Sequence, residues 1–188
     1  MILDDHQVNL RLQRMAWEIL ELAGDPCDLV VAGIQGMGHV LAEQLADRIE
    51  RSGTTACSLT RIELGRPEKA GDPFTLSEPL ETVANKWVVL VDDVTNTGVT
   101  LAHALTPFLQ QPTRGISMAV LVDREHHRYP VRADIQGLSL ATTLQEHIDV
   151  QWDGKAWSVY LSQGLKESIL STSSSIDTDA AEMVSCAF

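Results

Sequence analysis

The chain has 188 residues and a net charge of −12 at pH 7. That length suits one domain with a sizeable core. The acidity argues against a surface for nucleic acid or anionic lipid, since basic residues hold both, and no run approaches the roughly 18 apolar residues of a membrane span.

In chain order, "MILDDHQVNL" carries acids early and lacks the apolar centre of a leader. "HQVNLRLQRMAWEILELAG" places Val8, Leu10, Leu12, Met15, Ile19 and Leu22 near helical spacing and ends on Gly24, which predicts a helix. Asp28 to Ile34, "DLVVAGI", is short, apolar and β-branched, the pattern of a buried strand. "QGMG" turns the chain, and "HVLAEQLADRIE" predicts a helix through Val40, Leu41, Leu45 and Ile49. "TACSLTRIEL" reads as the next strand. Between Gly65 and Lys86 the pattern dissolves into mixed charge with three prolines, which marks a functional or mobile segment. A strand follows at "WVVLVDD", then a loop, a helix from about Thr100 to Leu109, and another buried strand at "GISMAVLVD".

Strands alternating with helices give an α/β fold with a mostly parallel sheet flanked by helices, of about four to five strands. The last part changes character. "IDVQWDGKAWSVYL" alternates on either side of Asp153-Gly154 and predicts an antiparallel hairpin. It belongs to a small hood made with the N-terminal region. Trp152 and Trp157 are expected to form a packed cross-strand pair. From Ser162 to Phe188 the chain is polar and serine-rich and reads as a tail, so the domain is expected over 1–161. Cys27, Cys57 and Cys186 are far apart and odd in number, which suits a reducing cytoplasm.

The chemistry concentrates in "WVVLVDDVTNTGVTL", Trp87 to Leu101. Ligands of a parallel sheet bind beyond the carboxyl ends of its strands, and Asp92 and Asp93 stand at such an end. Two adjacent carboxylates are costly there unless a ligand or cation compensates. They accept hydrogen bonds well, which suits vicinal sugar hydroxyls, directly or through Mg²⁺. The loop that follows offers backbone amides, hydroxyls and the permissive Gly98 as an anion cradle. Acids for a diol beside a cradle for phosphate describe a binder of ribose 5-phosphate. The plainer reading is a capped turn with two solvated acids.

This stretch resembles the phosphoribosyl-diphosphate signature of type I phosphoribosyltransferases. Asp92 and Asp93 match the acid pair, and Thr95, Asn96, Thr97, Gly98 and Thr100 match the phosphate loop, with Val94 and Val99 between them. From about Ile2 to Leu161 the chain is similar to the bifunctional pyrimidine-operon attenuator/uracil phosphoribosyltransferase branch. "VVAGIQGMGHVLAEQLADRI" and "VLVDREHHRYPVRADIQG" carry that likeness. The resemblance implies transfer of ribose 5-phosphate from phosphoribosyl diphosphate to a nucleobase, uracil in that branch, with Mg²⁺ held through substrate or water by Asp92 and Asp93. It implies a homodimer, with RNA disfavoured by the net acidity. It also implies that Gln35, Gly36, Met37 and Gly38 form the diphosphate loop, that Arg66 closes over the diphosphate, and that Asp123 and Arg124 lie near the base. Where the branch carries a lysine and an arginine in the diphosphate loop, this chain has Gln35 and Met37. The alternative is a catalytically weak nucleotide-binding regulator of pyrimidine metabolism, with or without RNA binding.

Overall fold

The computed structural model describes residues 1–24, 28–53, 55–64, 74–143 and 146–163. Helix α1 (Asp5–Ala23) begins at a capping box. Asp4 Oδ1 accepts the Gln7 amide at 2.8 Å, and the Asp4 amide donates to Gln7 Oε1 at 3.1 Å, so two otherwise orphaned donors are satisfied. Gly24, at φ 68°, ends the helix. Its buried face is Val8, Leu12, Met15, Ala16, Ile19 and Ala23. Leu10 and Leu22, which the periodicity places on that face, are exposed, together with Trp17.

Strand β1 (Leu29–Ile34) is buried throughout, as its unbroken apolar sequence requires. It leads into helix α2 (Met37–Ser52) and strand β2 (Cys57–Leu64). A three-residue strand β3 (Phe74–Leu76) and a 3₁₀ turn at Leu80–Val83 follow. Next come strand β4 (Trp87–Thr95), helix α3 (Val99–Leu105), strand β5 (Gly115–Asp123) and strand β6 (Ile135–Ser139). These strands form one sheet in the order β3-β2-β1-β4-β5-β6. Five run parallel and β3 pairs antiparallel at the edge. Helix α3 is shorter than its apolar pattern suggests because Pro107 has no N–H to donate. The Thr106 amide turns back to the His103 carbonyl, and a 3₁₀ turn at Phe108–Gln110 completes the segment.

Strand β6 extends the sheet beyond the four long strands legible in the sequence; the resemblance implies a hood hairpin over Asp134–Leu161, and β6 takes the first part of that stretch, so the hairpin starts later, at Glu146. The hood is formed by β7 (Glu146–Trp152) and β8 (Trp157–Gln163). Trp152 and Trp157 face each other with ring centroids 4.9 Å apart. Leu3 bridges to Val159, and the Trp157 amide donates to Asp5 Oδ1 at 2.9 Å, so the N-terminus is bound into the hood. Residues 164–188 lie outside the described residues.

Two apolar layers cover the sheet. One packs α1, α2 and the hood against Val31, Val89 and Leu121. The other packs α3 and Phe108 against Val30, Leu90 and Val120. Helix α2 sits close to the sheet because Gly33 has no side chain: a Cβ there would stand 2.6 Å from both Ala42 Cβ and the His39 Cα. Gly33→Ala should therefore cost about 1–3 kcal/mol through overpacking. Urea denaturation checks this; an unchanged midpoint would show that α2 can lift without penalty.

Candidate functional site

Strand order places the site. From β1 the chain crosses through α2 to β2 on one side, and from β4 it crosses through α3 to β5 on the other. The loops after β1 and β4 therefore diverge at neighbouring strand ends and leave a crevice, the place where open α/β sheets bind ligands. Both loops are pinned to it. Gly38, in the first turn of α2, lies so close to β4 that a Cβ would approach Asp92 Oδ1 and the Val91 carbonyl at 3.0 Å.

On the β4 side, a cavity of about 200 Å³ is lined by Asp92 and by every residue from Val94 to Leu101. Thus Val94, Thr95, Asn96, Thr97, Gly98, Val99 and Thr100 surround one space. Gly98 has φ 79°, and a side chain there would meet the Val131 carbonyl at 3.1 Å, so conformation and space both call for glycine. The segment after β5 holds the loop from outside. The Arg124 amide donates to the Thr95 carbonyl at 2.9 Å, and the Arg128 and Tyr129 amides donate to the Thr97 carbonyl at 3.0 and 3.1 Å. In a trans peptide the N–H points opposite to the C=O. With these carbonyls held outward, the Asn96 and Gly98 amides are turned inward, and neither has a protein acceptor among the described residues. Thr95 Oγ1 is buried and unpartnered. Inward amides and a free hydroxyl form an acceptor-binding cradle.

Asp92 is 7% exposed and Asp93 half-buried, and the Asp93 amide donates to Asp92 Oδ1 at 3.0 Å. Burial pushes the Asp92 carboxyl well above the usual carboxylate range, and the Asp93 charge pushes the same way. No group of three metal-ligating side chains occurs among the described residues. A cation here would take its remaining ligands from a bound molecule and water.

The other expected site residues divide. Gln35 and Gly36 are exposed, and the Gln35 amide donates to the Ile62 carbonyl at 2.8 Å. Met37 is half-buried and Gly38 buried, so the Gln35–Gly38 loop borders the crevice without lining the cavity beside β4. Arg66 lies outside the described residues. Asp123 is 1% exposed and stands beside Thr95 in register. Its Oδ1 accepts the Glu125 amide at 2.9 Å and faces His127 Nε2 at 3.2 Å, while Oδ2 accepts Gln136 Nε2 at 2.9 Å. Asp123 thereby shapes the segment that grips the cradle. Gln136 and His127 join it without any spacing signal in the sequence.

Arg124 requires a correction. Its guanidinium is not available to substrate: it is buried and bonds Thr142 Oγ1 at 2.8 Å, the Thr143 carbonyl at 3.0 Å and the Glu146 carbonyl at 2.6 Å. It ties the carboxyl edge of β5 to the start of the hood, and only its backbone amide serves the cradle.

The model of the phosphoribosyl transferase domain matches residues 1–161. The chain belongs to the type I phosphoribosyltransferase family. Bifunctional protein PyrR of Leuconostoc mesenteroides is 34% identical over 164 residues, covering 82% of this chain and 93% of that protein. Bifunctional protein PyrR of Clostridium botulinum is 37% identical over 159 residues, covering 79% and 87%. Among solved structures of the fold, a hypoxanthine phosphoribosyltransferase of Staphylococcus aureus aligns with TM-score 0.60 at 16% identity over 74% of this chain and 76% of that one. A hypoxanthine-guanine phosphoribosyltransferase of Bacillus anthracis aligns with TM-score 0.61 at 17% identity, covering 73% and 81%. At such identity these two establish the fold alone. In the phosphoribosyltransferase frame, the motif that the sequence singled out is the strand–loop–helix around the cavity.

The raised Asp92 carboxyl has a consequence for stability. A carboxyl with a raised folded-state pKa stabilises the fold below the ordinary carboxylate value, about 3.9, and that contribution is lost as pH rises through the raised value. Asp92→Asn should therefore raise the melting temperature of the ligand-free protein at pH 7–8 by about 2–4 °C, the shift that ~1 kcal/mol produces at this size. The gap should close near pH 4. Calorimetry across that range checks it, and a gap independent of pH would deny the ionic origin.

Proposed function

We propose that this phosphoribosyltransferase binds phosphoribosyl diphosphate and transfers its ribose 5-phosphate to a nucleobase, uracil, with release of diphosphate. The observation that carries the reading is the cavity lined by Asp92 and by Val94 to Leu101, in which a buried acid, with Asp93 next to it in sequence, adjoins the two inward amides of Asn96 and Gly98. The 34–37% identity to proteins named Bifunctional protein PyrR supports the pyrimidine substrate.

In this reading the 5-phosphate lies on the Asn96 and Gly98 amides and the Thr95 hydroxyl. Asp92 and Asp93 accept hydrogen bonds from the two ribose hydroxyls. The sugar is thus held at both ends with its anomeric carbon over the crevice, and the diphosphate extends toward Gln35–Gly38. Fixing both reactants in line supplies much of the rate, because the transition state needs positioning and charge stabilisation more than covalent help. Mg²⁺ fits the site through Asp92 and Asp93, a buried and a half-buried acid with no described cationic partner, and when bound it neutralises diphosphate oxygens. Arg66 would add charge from the β2–β3 connection. Asp123 orients the Gln136 amide beside the cradle, and the base is placed on that side. A homodimer belongs to the same reading, and sedimentation as a monomer at micromolar concentration would remove it.

A second reading draws on the Gln35–Gly38 loop, which carries no lysine or arginine. A chain that keeps the ribose-phosphate cradle but lacks this charge would bind nucleotide as a regulator with little turnover. One experiment tests the cradle that both readings share, and a second separates them. Asp92→Asn combined with Asp93→Asn should abolish binding of phosphoribosyl diphosphate in titration calorimetry while the circular dichroism spectrum is kept; normal binding would sink the ribose assignment. Met37→Arg places a cation at the diphosphate loop and should raise kcat/KM for diphosphate release by about tenfold, the worth of a modest charged hydrogen bond. If neither the parent nor Met37→Arg releases diphosphate with uracil or another nucleobase, the regulator reading holds.

A further inference from the structure

A diphosphate at the Gln35–Gly38 loop meets amides and two nearby acids but no cation from the loop itself. The described cations are few at this edge of the sheet. Arg11 and Arg14 are bonded into α1 and β6. Those at the end of α2, ahead of β4 and β5, and in the hairpin turn stand elsewhere in the fold. Arg124 is buried and spent. Arg128, through its amide, belongs to the side of the crevice after β4, and Arg132 lines a separate space with Leu105 and Met118 on the α3 side. On the β1 side this leaves Arg61.

Arg61 lies opposite Gly33 in the parallel register of β1 and β2. Residues paired this way share a face of the sheet. Thr60 and Ile62, on either side, are buried, and Ile62 packs in the α3 layer. The Arg61 side chain therefore stands on the α2 face, one strand from the glycine over which His39 and Ala42 pack. It is 46% exposed, and its charged neighbour Glu63 is 3.5 Å away, too long for a strong direct hydrogen bond. Its backbone is fixed: the Arg61 amide donates to Ser77 Oγ and its carbonyl accepts the Ser77 amide. A rigid anchor, a half-exposed guanidinium held only by a long ion pair to Glu63, and a position on the strand beside an uncharged loop occur together only here among the described residues.

We propose that Arg61 binds the diphosphate end of the ligand, supplying from β2 the charge that the Gln35–Gly38 loop lacks. This rests on the proposed function above. The guanidinium fork suits paired phosphate oxygens, and its attachment to a strand holds it where the loop would otherwise carry a cation.

The test is titration calorimetry in Mg²⁺ buffer with three probes: inorganic diphosphate, phosphoribosyl diphosphate and ribose 5-phosphate. Arg61→Gln should weaken the first two about tenfold, the low end for a charged hydrogen bond because the group is half exposed. Ribose 5-phosphate binding should not change. Arg61→Lys should recover part of the loss, and Arg51→Gln, at the far end of α2, should have no effect. Equal weakening of all three probes, or no weakening of the diphosphate probes, would overturn the role of Arg61 while leaving the ribose-phosphate cradle standing. A parent protein that binds ribose 5-phosphate but not diphosphate would also overturn it. A parent that binds none of the three removes the functional reading and Arg61 with it.

Discussion

The contact between Gly38 and Asp92 is the constraint on which the site depends. It brings the first turn of α2, which follows β1, against the end of β4, and so fixes two loops that the topology sends to opposite faces of the sheet. The approach is close because Gly33 and Gly38 both lack side chains, one beneath the helix and one at its start. A buried carboxylate at that junction costs stability in the empty protein. It also gives a ligand with hydroxyls, or a ligand carrying a cation, a group that gains from being neutralised. Stability and binding are therefore opposed at one residue, a common arrangement where strain or unpaired charge is kept for function.

The second layer of design lies behind the cradle. Loop carbonyls at Thr95 and Thr97 are held from outside by the segment after β5, and that segment is itself held by Asp123 and Arg124. Asp123 spends its oxygens on Glu125, His127 and Gln136. Arg124 spends its donors on the stretch leading into β7. A charged hydrogen bond to a buried group costs much to break, so the cradle amides are aimed by a rigid support and not by the loop's own conformation. The hood enters the same network through the Glu146 carbonyl, which accepts from the Arg124 guanidinium.

Much of this was legible in the sequence, for physical reasons that differ by element. Strands β1, β4 and β5 are buried on both faces, and an unbroken apolar run has few other readings. The hairpin declared itself through Asp153-Gly154 and the alternating tryptophans. Strand β6 did not, because "IQGLS" is five residues with a central glycine; its burial comes from a close approach in which a Gly137 Cβ would stand 2.6 Å from the Leu121 carbonyl. Strand β3 is three residues and exists by pairing with β2. On α1 the periodicity includes Leu10 and Leu22, which stay outside, since a spacing pattern does not say how wide a face the partner covers. At the site, the Asp92–Thr100 motif was legible because its chemistry is contiguous. The inward use of Arg124 was not, because sequence gives the presence of a charge and not its direction. Arg61 was invisible for a related reason: its meaning comes from the strand register beside Gly33.

The net charge sharpens what those few cations must do. A chain at −12 repels a polyanion at long range. At physiological ionic strength that field decays over about 8 Å, so a ligand reaching the carboxyl edge is governed by the charges within one side chain's length. There the acids Asp92 and Asp93 oppose an anion, and the amides of the cradle carry only partial charge. On the proposed function, hydrogen-bond geometry then selects the phosphate and ribose, while affinity for a more highly charged ligand depends on the fixed cations and any bound metal ion at the β1 side. The balance between a turnover enzyme and a nucleotide-binding regulator on this scaffold is therefore an electrostatic one. On the proposed function it turns on the charge at Arg61 and the neutral Gln35–Gly38 loop and not on the fold, which presents the same crevice in either case.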